Sequence, residues 1–212
     1  MATVKGYRTS TPLLITADDH MMVRTGLQML LELKFGISGI IEAESCAEVL
    51  SVVKAHRPTH LIIDLSFKDG NSIEILPVIT SLMPELKIMV YSMMPADIYL
   101  YPLLRLGIRY YLHKESTRQK TLETLHSFLY AGSLDAMIDE RLVRPGNPFI
   151  RLSARELEVL HYLLLGKTNS FIATTLNLHK SSVSTFKSRI MEKTGMTNMK
   201  DLSDLAALYD YN

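Results

Sequence analysis

A chain of 212 residues has room for one large domain or two small ones. Its 47% hydrophobic and 21% charged residues exclude a wholly disordered chain, and a net charge of +1 excludes a global basic signature, so any nucleic-acid site must be local. The single cysteine, Cys46, excludes an intramolecular disulfide and a cysteine-rich metal site, which fits a reducing cytoplasm, and no apolar run approaches the ~20 residues of a membrane span.

Residues 1–12 are polar, lack the apolar centre of a signal peptide and read as a flexible N-terminal extension. Leu13-Leu14-Ile15-Thr16-Ala17 is a first strand that runs into Asp18-Asp19-His20. Apolar residues then recur at Met22, Leu27, Leu30, Leu31 and Leu33, a helical pattern. Ile40-Ile41-Glu42-Ala43 is a second strand, and Ser45 caps a helix through Ala47, Val49, Leu50 and Val53 that stops before Pro58. In His60-Leu61-Ile62-Ile63-Asp64-Leu65-Ser66, bulky residues run up to an aspartate, the pattern of a strand buried on both faces. A helix over 73–82 is stopped by Pro84, and a fourth strand covers 87–92. A helix over 98–106 ends at Gly107, a fifth strand at 110–112 reaches Lys114, and a helix over 121–130 ends at Gly132.

Five strands alternating with five helices predict an α/β domain: a parallel five-stranded sheet with helices on both faces. Right-handed crossovers put every strand's C-terminal end on one edge, where open α/β sheets bind ligands. Asp18, Asp19, Asp64, Ser92 and Lys114 all fall on that edge. The character changes over 132–151, which reads as a linker with a short helix at 135–142 and the turn-rich run Arg144-Pro145-Gly146-Asn147-Pro148. Beyond it no strand pattern remains. Ser153-Ala154-Arg155-Glu156 is a capping box opening a helix to Leu165 that stops at Gly166, and further helices are predicted over 169–176, 181–194 and 198–209.

Three clustered carboxylates repel unless a cation joins them, and a hard divalent ion such as Mg²⁺ is the usual answer. With such an ion, an aspartate can attack a phosphoryl donor. Lys114 can balance phosphoryl charge as a point cation, and the Ser92 hydroxyl can donate to a phosphoryl oxygen. Taken singly, Asp19 would serve as well as a helix N-cap, Asp64 as the end of a strand and Tyr111 as core. His20 and Cys46 read as structural.

These residues resemble the receiver domain of two-component response regulators, whose sheet is doubly wound. The matching motifs are Asp18-Asp19-His20, Asp64-Leu65-Ser66, Tyr91-Ser92 and Tyr110-Tyr111-Leu112-His113-Lys114, and the domain is expected over 13–131. The resemblance implies Asp64 as phosphoacceptor and Asp19 and Asp64 as direct Mg²⁺ ligands with the Ser66 backbone carbonyl, Asp18 acting mainly through water. It implies Tyr111 as the aromatic that changes rotamer when Ser92 engages the phosphoryl group. The family usually has Met-Pro and then Gly where this chain has Phe67-Lys68 and Ser72. The loop Lys68-Asp69-Gly70-Asn71 keeps the length, with Gly70 or Asn71 able to take positive φ.

Residues 152–212 resemble the small, all-α helix-turn-helix DNA-binding domain of the NarL/LuxR class. The match runs over Leu152-Ser153, Arg155-Glu156, Val159-Leu160, Gly166, Asn169, Ile172-Ala173 and Leu176, and Val183-Ser184-Thr185-Phe186-Lys187-Ser188-Arg189-Ile190 resembles the BvgA/EvgA subgroup. In the 181–194 helix, Val183, Phe186 and Ile190 share one face, and Lys180, Ser184, Lys187 and Ser188 the other, short-chained and basic enough for a major groove. Ser184, Thr185, Lys187 and Ser188 are candidate base readers, Lys180, Arg189 and Lys193 candidate phosphate contacts, and Ser181 a further candidate DNA-binding residue. Surface lysines also merely solvate helices. In the last helix Met199, Leu202, Leu205, Ala206 and Tyr209 form an apolar stripe, which the family uses to dimerise and which equally suits covering its own core.

The expected protein is a cytoplasmic, Mg²⁺-dependent response regulator controlling transcription. A histidine kinase phosphorylates Asp64, and a homodimer binds double-stranded DNA at half-sites about 10 bp apart. The unphosphorylated receiver is expected to mask the recognition helix or hold the chain monomeric. Beyond phosphotransfer to its own Asp64, it is not an enzyme. Two rivals are a regulator that binds DNA independently of phosphorylation, its receiver an interaction module, and a Mg²⁺ phosphohydrolase. Ser66 stands where such hydrolases often carry a second aspartate, which argues against the latter.

Overall fold

The structure, a computed structural model, describes residues 12–94, 96–130, 146–209 and 211. The expected helix at 135–142 and all but the last residue of the expected extension lie outside them. The first domain contains β1 (Leu14–Ala17), α1 (Met21–Phe35), β2 (Ile41–Ala43), α2 (Cys46–His56), β3 (His60–Ile63), β4 (Ser66–Phe67) and β5 (Gly70–Asn71). It continues through α3 (Leu76–Leu82), β6 (Lys87–Ser92), α4 (Ala96–Arg105), β7 (Tyr110–His113) and α5 (Arg118–Tyr130). The main sheet has the order β2-β1-β3-β6-β7 and every pair in it is parallel.

Alternation along each strand divides the core. Leu14, Ile62, Met89 and Leu112 face α1 and α5, meeting Leu27, Leu31, Leu125 and Phe128. Ile15, Leu61, Ile63, Ile88 and Val90 face the other way, meeting Val49, Val53, Ile79, Tyr99 and Leu103 of α2 to α4. Each of these side chains contributes roughly 1.5–3 kcal/mol on leaving water. Because the strand order reverses between β1 and β3, their C-terminal ends flank a crevice, and Asp18 and Asp64 stand one on each side.

Two local features depart from the expectations. The stretch after Asp64 folds into the short antiparallel hairpin β4–β5, with Ser66 opposite Asn71 and Phe67 opposite Gly70. Neither Gly70 nor Asn71 uses positive φ; Asn71 sits at φ −111 and its side chain accepts from Ile73 N–H, opening a 3-10 turn over Ser72–Glu74. The hairpin's turn residue Asp69 accepts from the N–H groups of Cys46 and Ala47, pinning the tip to the start of α2.

The second domain opens with a 3-10 turn over Pro148–Arg151, then α6 (Ala154–Leu164), α7 (Asn169–Thr175), α8 (Lys180–Thr194) and α9 (Met199–Leu208). The capping box forms as predicted: Ser153 Oγ accepts from Glu156 N–H, and Glu156 accepts from Ser153 N–H at 2.6 Å. α8 ends at Gly195, whose φ of 71 is cheap only for a residue without a Cβ. Leu157, Leu160, Ile172, Val183, Ile190, Leu202 and Ala206 form the domain's core, closed by Phe149 against the ring of Tyr211 at 4.6 Å. This core is continuous with the one on the α2–α4 side of the sheet, and α6 packs against α4.

Candidate phosphorylation site and nucleic-acid interface

The crevice is built by backbone before side chains enter it. Asp64 N–H donates to Ala17 C=O at 2.9 Å, Asp18 N–H to Ala43 C=O at 3.1 Å, and Lys114 N–H to Ser92 C=O at 2.9 Å, so neighbouring strand ends are tied in pairs. Lys114 then reaches across. Its Nζ lies 2.7 Å from Asp18 Oδ2 and 2.6 Å from Asp64 Oδ2. Asp64 is 5% exposed, and its other oxygen accepts from Leu65 N–H at 2.7 Å. Burial pushes the Asp64 carboxyl above the usual carboxylate range, with Asp18 adding to it and Lys114 and the Ser92 hydroxyl working the other way. For Lys114, burial favours the neutral amine, but the two carboxylates outweigh it and its pKa lies above normal.

Of the expected metal ligands, Asp18 and Asp19 come together, joined by His20: one ligand atom from each lies within 4.8 Å of the others. His20 Nδ1 is 2.7 Å from Asp19 Oδ1 and 3.1 Å from Asp18 Oδ1, so the histidine that read as structural belongs to the acidic cluster. Asp64 is bound to this cluster through Lys114, and the Ser66 side chain turns away from it, donating to Glu158 of α6 at 2.7 Å. Ser92 is buried and its Oγ accepts from Met94 N–H at 3.4 Å, while the buried Tyr111 hydroxyl donates to the Met94 carbonyl. One short loop therefore links both expected switch residues.

Sequence reasoning missed two supports. Arg24 of α1 is buried behind the acidic loop; its Nη1 donates to the Asp18 carbonyl at 2.7 Å and its Nε to Glu42 at 2.5 Å. Ser72, where the family usually has glycine, is fully buried, and its hydroxyl donates to the Asp64 carbonyl at 2.7 Å while its N–H donates to Leu65 C=O at 2.8 Å. The departure from the family pattern is thus a brace for the loop that follows Asp64.

On α8, Lys180, Ser181, Ser184, Thr185, Ser188 and Arg189 are exposed and Lys187 is half-buried. The hydroxyls of Ser184, Thr185 and Ser188 donate to carbonyls one turn back, at 3.3, 3.0 and 3.1 Å. Among the described residues the receiver leaves this face open and meets the second domain through α4 and α6, so of the two expectations, masking or a monomeric resting chain, masking is not what this arrangement shows. Lys193 points off it, its Nζ 2.6 Å from Glu156, and serves to hold α8 to α6. The α9 stripe is inward: Leu202 and Ala206 are fully buried in their own domain, and Met199, Leu205 and Tyr209 pack partly buried on the same core. Tyr209 also donates to the Gly146 carbonyl at 3.2 Å. In this structure the stripe covers its own core, and the dimer-forming expectation for Leu202 and Ala206 is corrected accordingly.

An acidic crevice bridged by a lysine at a parallel-sheet edge, followed by a helix-turn-helix with a bare second helix, defines a switchable DNA-binding protein of two domains. Residues 14–126 match the family model described as response regulator receiver domain, and residues 151–206 match that of bacterial regulatory proteins of the luxR family. The chain belongs to the response regulators, in the group that carries a LuxR-type DNA-binding domain. The oxygen regulatory protein NreC of Staphylococcus epidermidis is 30% identical over 209 residues, covering 91% of this chain and 95% of that one. NreC of Staphylococcus carnosus is 29% identical over 211 residues. RcsB of Salmonella enterica serovar Typhimurium, bound to the promoter rprA in the presence of phosphomimetic BeF3−, superposes with a TM-score of 0.62 at 25% identity, covering 93% of this chain and 99% of that one. Among the described residues, no helix is long and apolar enough to cross a membrane.

Proposed function

We propose that a histidine kinase, or a small phosphodonor, phosphorylates Asp64 and that this controls binding of the second domain to double-stranded DNA. The observation that carries the reading is Lys114 held between the Asp18 and Asp64 carboxylates in a buried crevice. An Asp64 oxygen attacks phosphorus, the bond from phosphorus to the donor's leaving atom breaks, and the leaving group keeps that electron pair. Lys114 then exchanges one carboxylate for a phosphoryl oxygen, and the Ser92 hydroxyl donates to another. That movement draws on the loop to which Tyr111 is bonded. The paired acids Asp18 and Asp19 fit a hard cation: with Asp64, which Lys114 joins to Asp18, and the Ser66 carbonyl, they would hold Mg²⁺, which when bound offsets the charge of phosphate and carboxylates.

The exposed face of α8 then enters a major groove, with Ser181, Ser184, Thr185, Lys187 and Ser188 toward base edges and Lys180 and Arg189 toward phosphates. The relative RcsB, whose dimers are seen bound to DNA, supports a homodimer, and the helix-turn-helix geometry then asks for two half-sites one turn apart. The test is acetyl phosphate with and without Mg²⁺, on the wild type and Asp64→Asn, read by intact mass and by DNA affinity. One added phosphoryl group that needs both Mg²⁺ and Asp64, and that tightens DNA binding, is expected. The bareness of α8 favours a second reading, DNA binding independent of phosphorylation; affinity unchanged by a demonstrated phosphoryl group would select it.

A further inference from the structure

Glu158, on α6, is a carboxylate with no exposed surface, placed between the two domains. One oxygen accepts from Arg155 Nη1 at 2.8 Å, within its own helix. The other accepts from the hydroxyl of Ser66, two residues beyond Asp64, at 2.7 Å. Around Ser66 the loop is stiff. Leu65 bonds to Asp64 and to Ser72, Ser66 pairs with Asn71, and Asp69 is anchored on α2. A pull on the Ser66 side chain is therefore transmitted to Asp64 with little slack. The same helix has further neighbours in the first domain: Tyr99 of α4 lies buried near Glu158, and His161 lies near His113 at the end of β7.

We propose that Glu158 of the DNA-binding domain restrains phosphotransfer at Asp64, holding the loop after Asp64 through the Ser66 hydroxyl and so coupling phosphorylation to the docking of α6. The proposal rests on the reading of Asp64 as phosphoacceptor. A buried carboxylate oxygen stripped of its donor loses a charge-assisted hydrogen bond without water to replace it, so the loop and α6 move together or the bond must break. Coupling of this kind is reciprocal: what frees α6 frees the loop, and what draws the loop toward a phosphoryl group loosens α6. The docked resting chain accordingly takes up phosphate slowly, and the phosphorylated chain undocks.

The test uses full-length chains with acetyl phosphate and Mg²⁺, following initial rates of incorporation by intact mass. Glu158→Ala and Ser66→Ala should each speed incorporation by about tenfold or more, the low end of what one charge-assisted hydrogen bond commands, and the double variant should go no faster than either. Glu158→Gln keeps an oxygen to accept from Ser66 but gives up the charge paired with Arg155. Its rate should fall between those of the wild type and Glu158→Ala, whereas a role confined to supporting α6 would be lost with Gln as with Ala. Equal rates in all chains, or a Ser66→Ala effect that persists undiminished beside Glu158→Ala, would overturn the coupling while leaving Asp64 as phosphoacceptor. Absence of incorporation in every chain would sink both.

Discussion

At Asp64 the fold holds a carboxylate where it is poorly solvated. Burial raises its pKa, Asp18 adds to this, and Lys114 compensates only in part. A raised carboxyl contributes stability that is complete below the unfolded value and lost as pH rises through the folded one, so at neutral pH the ionised group costs stability. Asp64→Asn, which has no charge to bury, is expected to raise the melting temperature of the resting protein by a few degrees, read by circular dichroism at pH 7. His60 behaves oppositely. Burial, then the charge of Lys87, lowers its pKa from 6.5 to about 4. Its contribution is present above 6.5 and is lost as pH falls through about 4. Urea midpoints should therefore fall between pH 7 and pH 5 by more in the wild type than in His60→Gln. The acids, Ser92 and Lys114 were legible because each follows an apolar run whose length and composition mark a strand. Arg24 was not: an arginine among helical residues looks solvated until the fold buries it against Glu42 and the Asp18 carbonyl. His20 was passed over because a lone histidine beside a helix start has no signature of its own.

Among the elements, the parallel strands read clearly because burial on both faces demands uninterrupted bulk. The hairpin β4–β5 did not, since strands of two residues carry no periodicity; it exists because Asp69, Asn71 and Ser72 each hold a neighbouring backbone group. The capping box was readable from four residues, but its second task was not. Glu156 also accepts from Lys193, and although burial opposes the charged form, Lys193 and Ser153 hold its carboxyl below the normal range. Ser153→Ala should cost the DNA-binding domain about 1 kcal/mol, the usual value of an N-cap, measured by denaturant titration with the m-value unchanged.

For the whole molecule, local charge decides how DNA is held. Lys180, Lys187 and Arg189 are the cations of α8 placed on or beside its open face, and Lys193 is engaged with Glu156. Arg189→Ala should lower the slope of log affinity against log salt by about 0.9, the share of one phosphate contact. Lys193→Ala should leave the slope nearly unchanged and lower stability instead. The domain arrangement itself was illegible, because the Ser66–Glu158 bond joins residues 92 apart and neither residue carries a local pattern that announces it.

The apolar core that runs unbroken from the α2–α4 side of the sheet into the helical domain makes heat absorption a joint property of the two. Domains that share buried surface melt as one cooperative unit, and domains released from each other melt apart. Scanning calorimetry of the resting chain should give a single endotherm. The same scan on chains whose α6 has been loosened should resolve into two, so that the shape of a melting curve reports which state the switch is in.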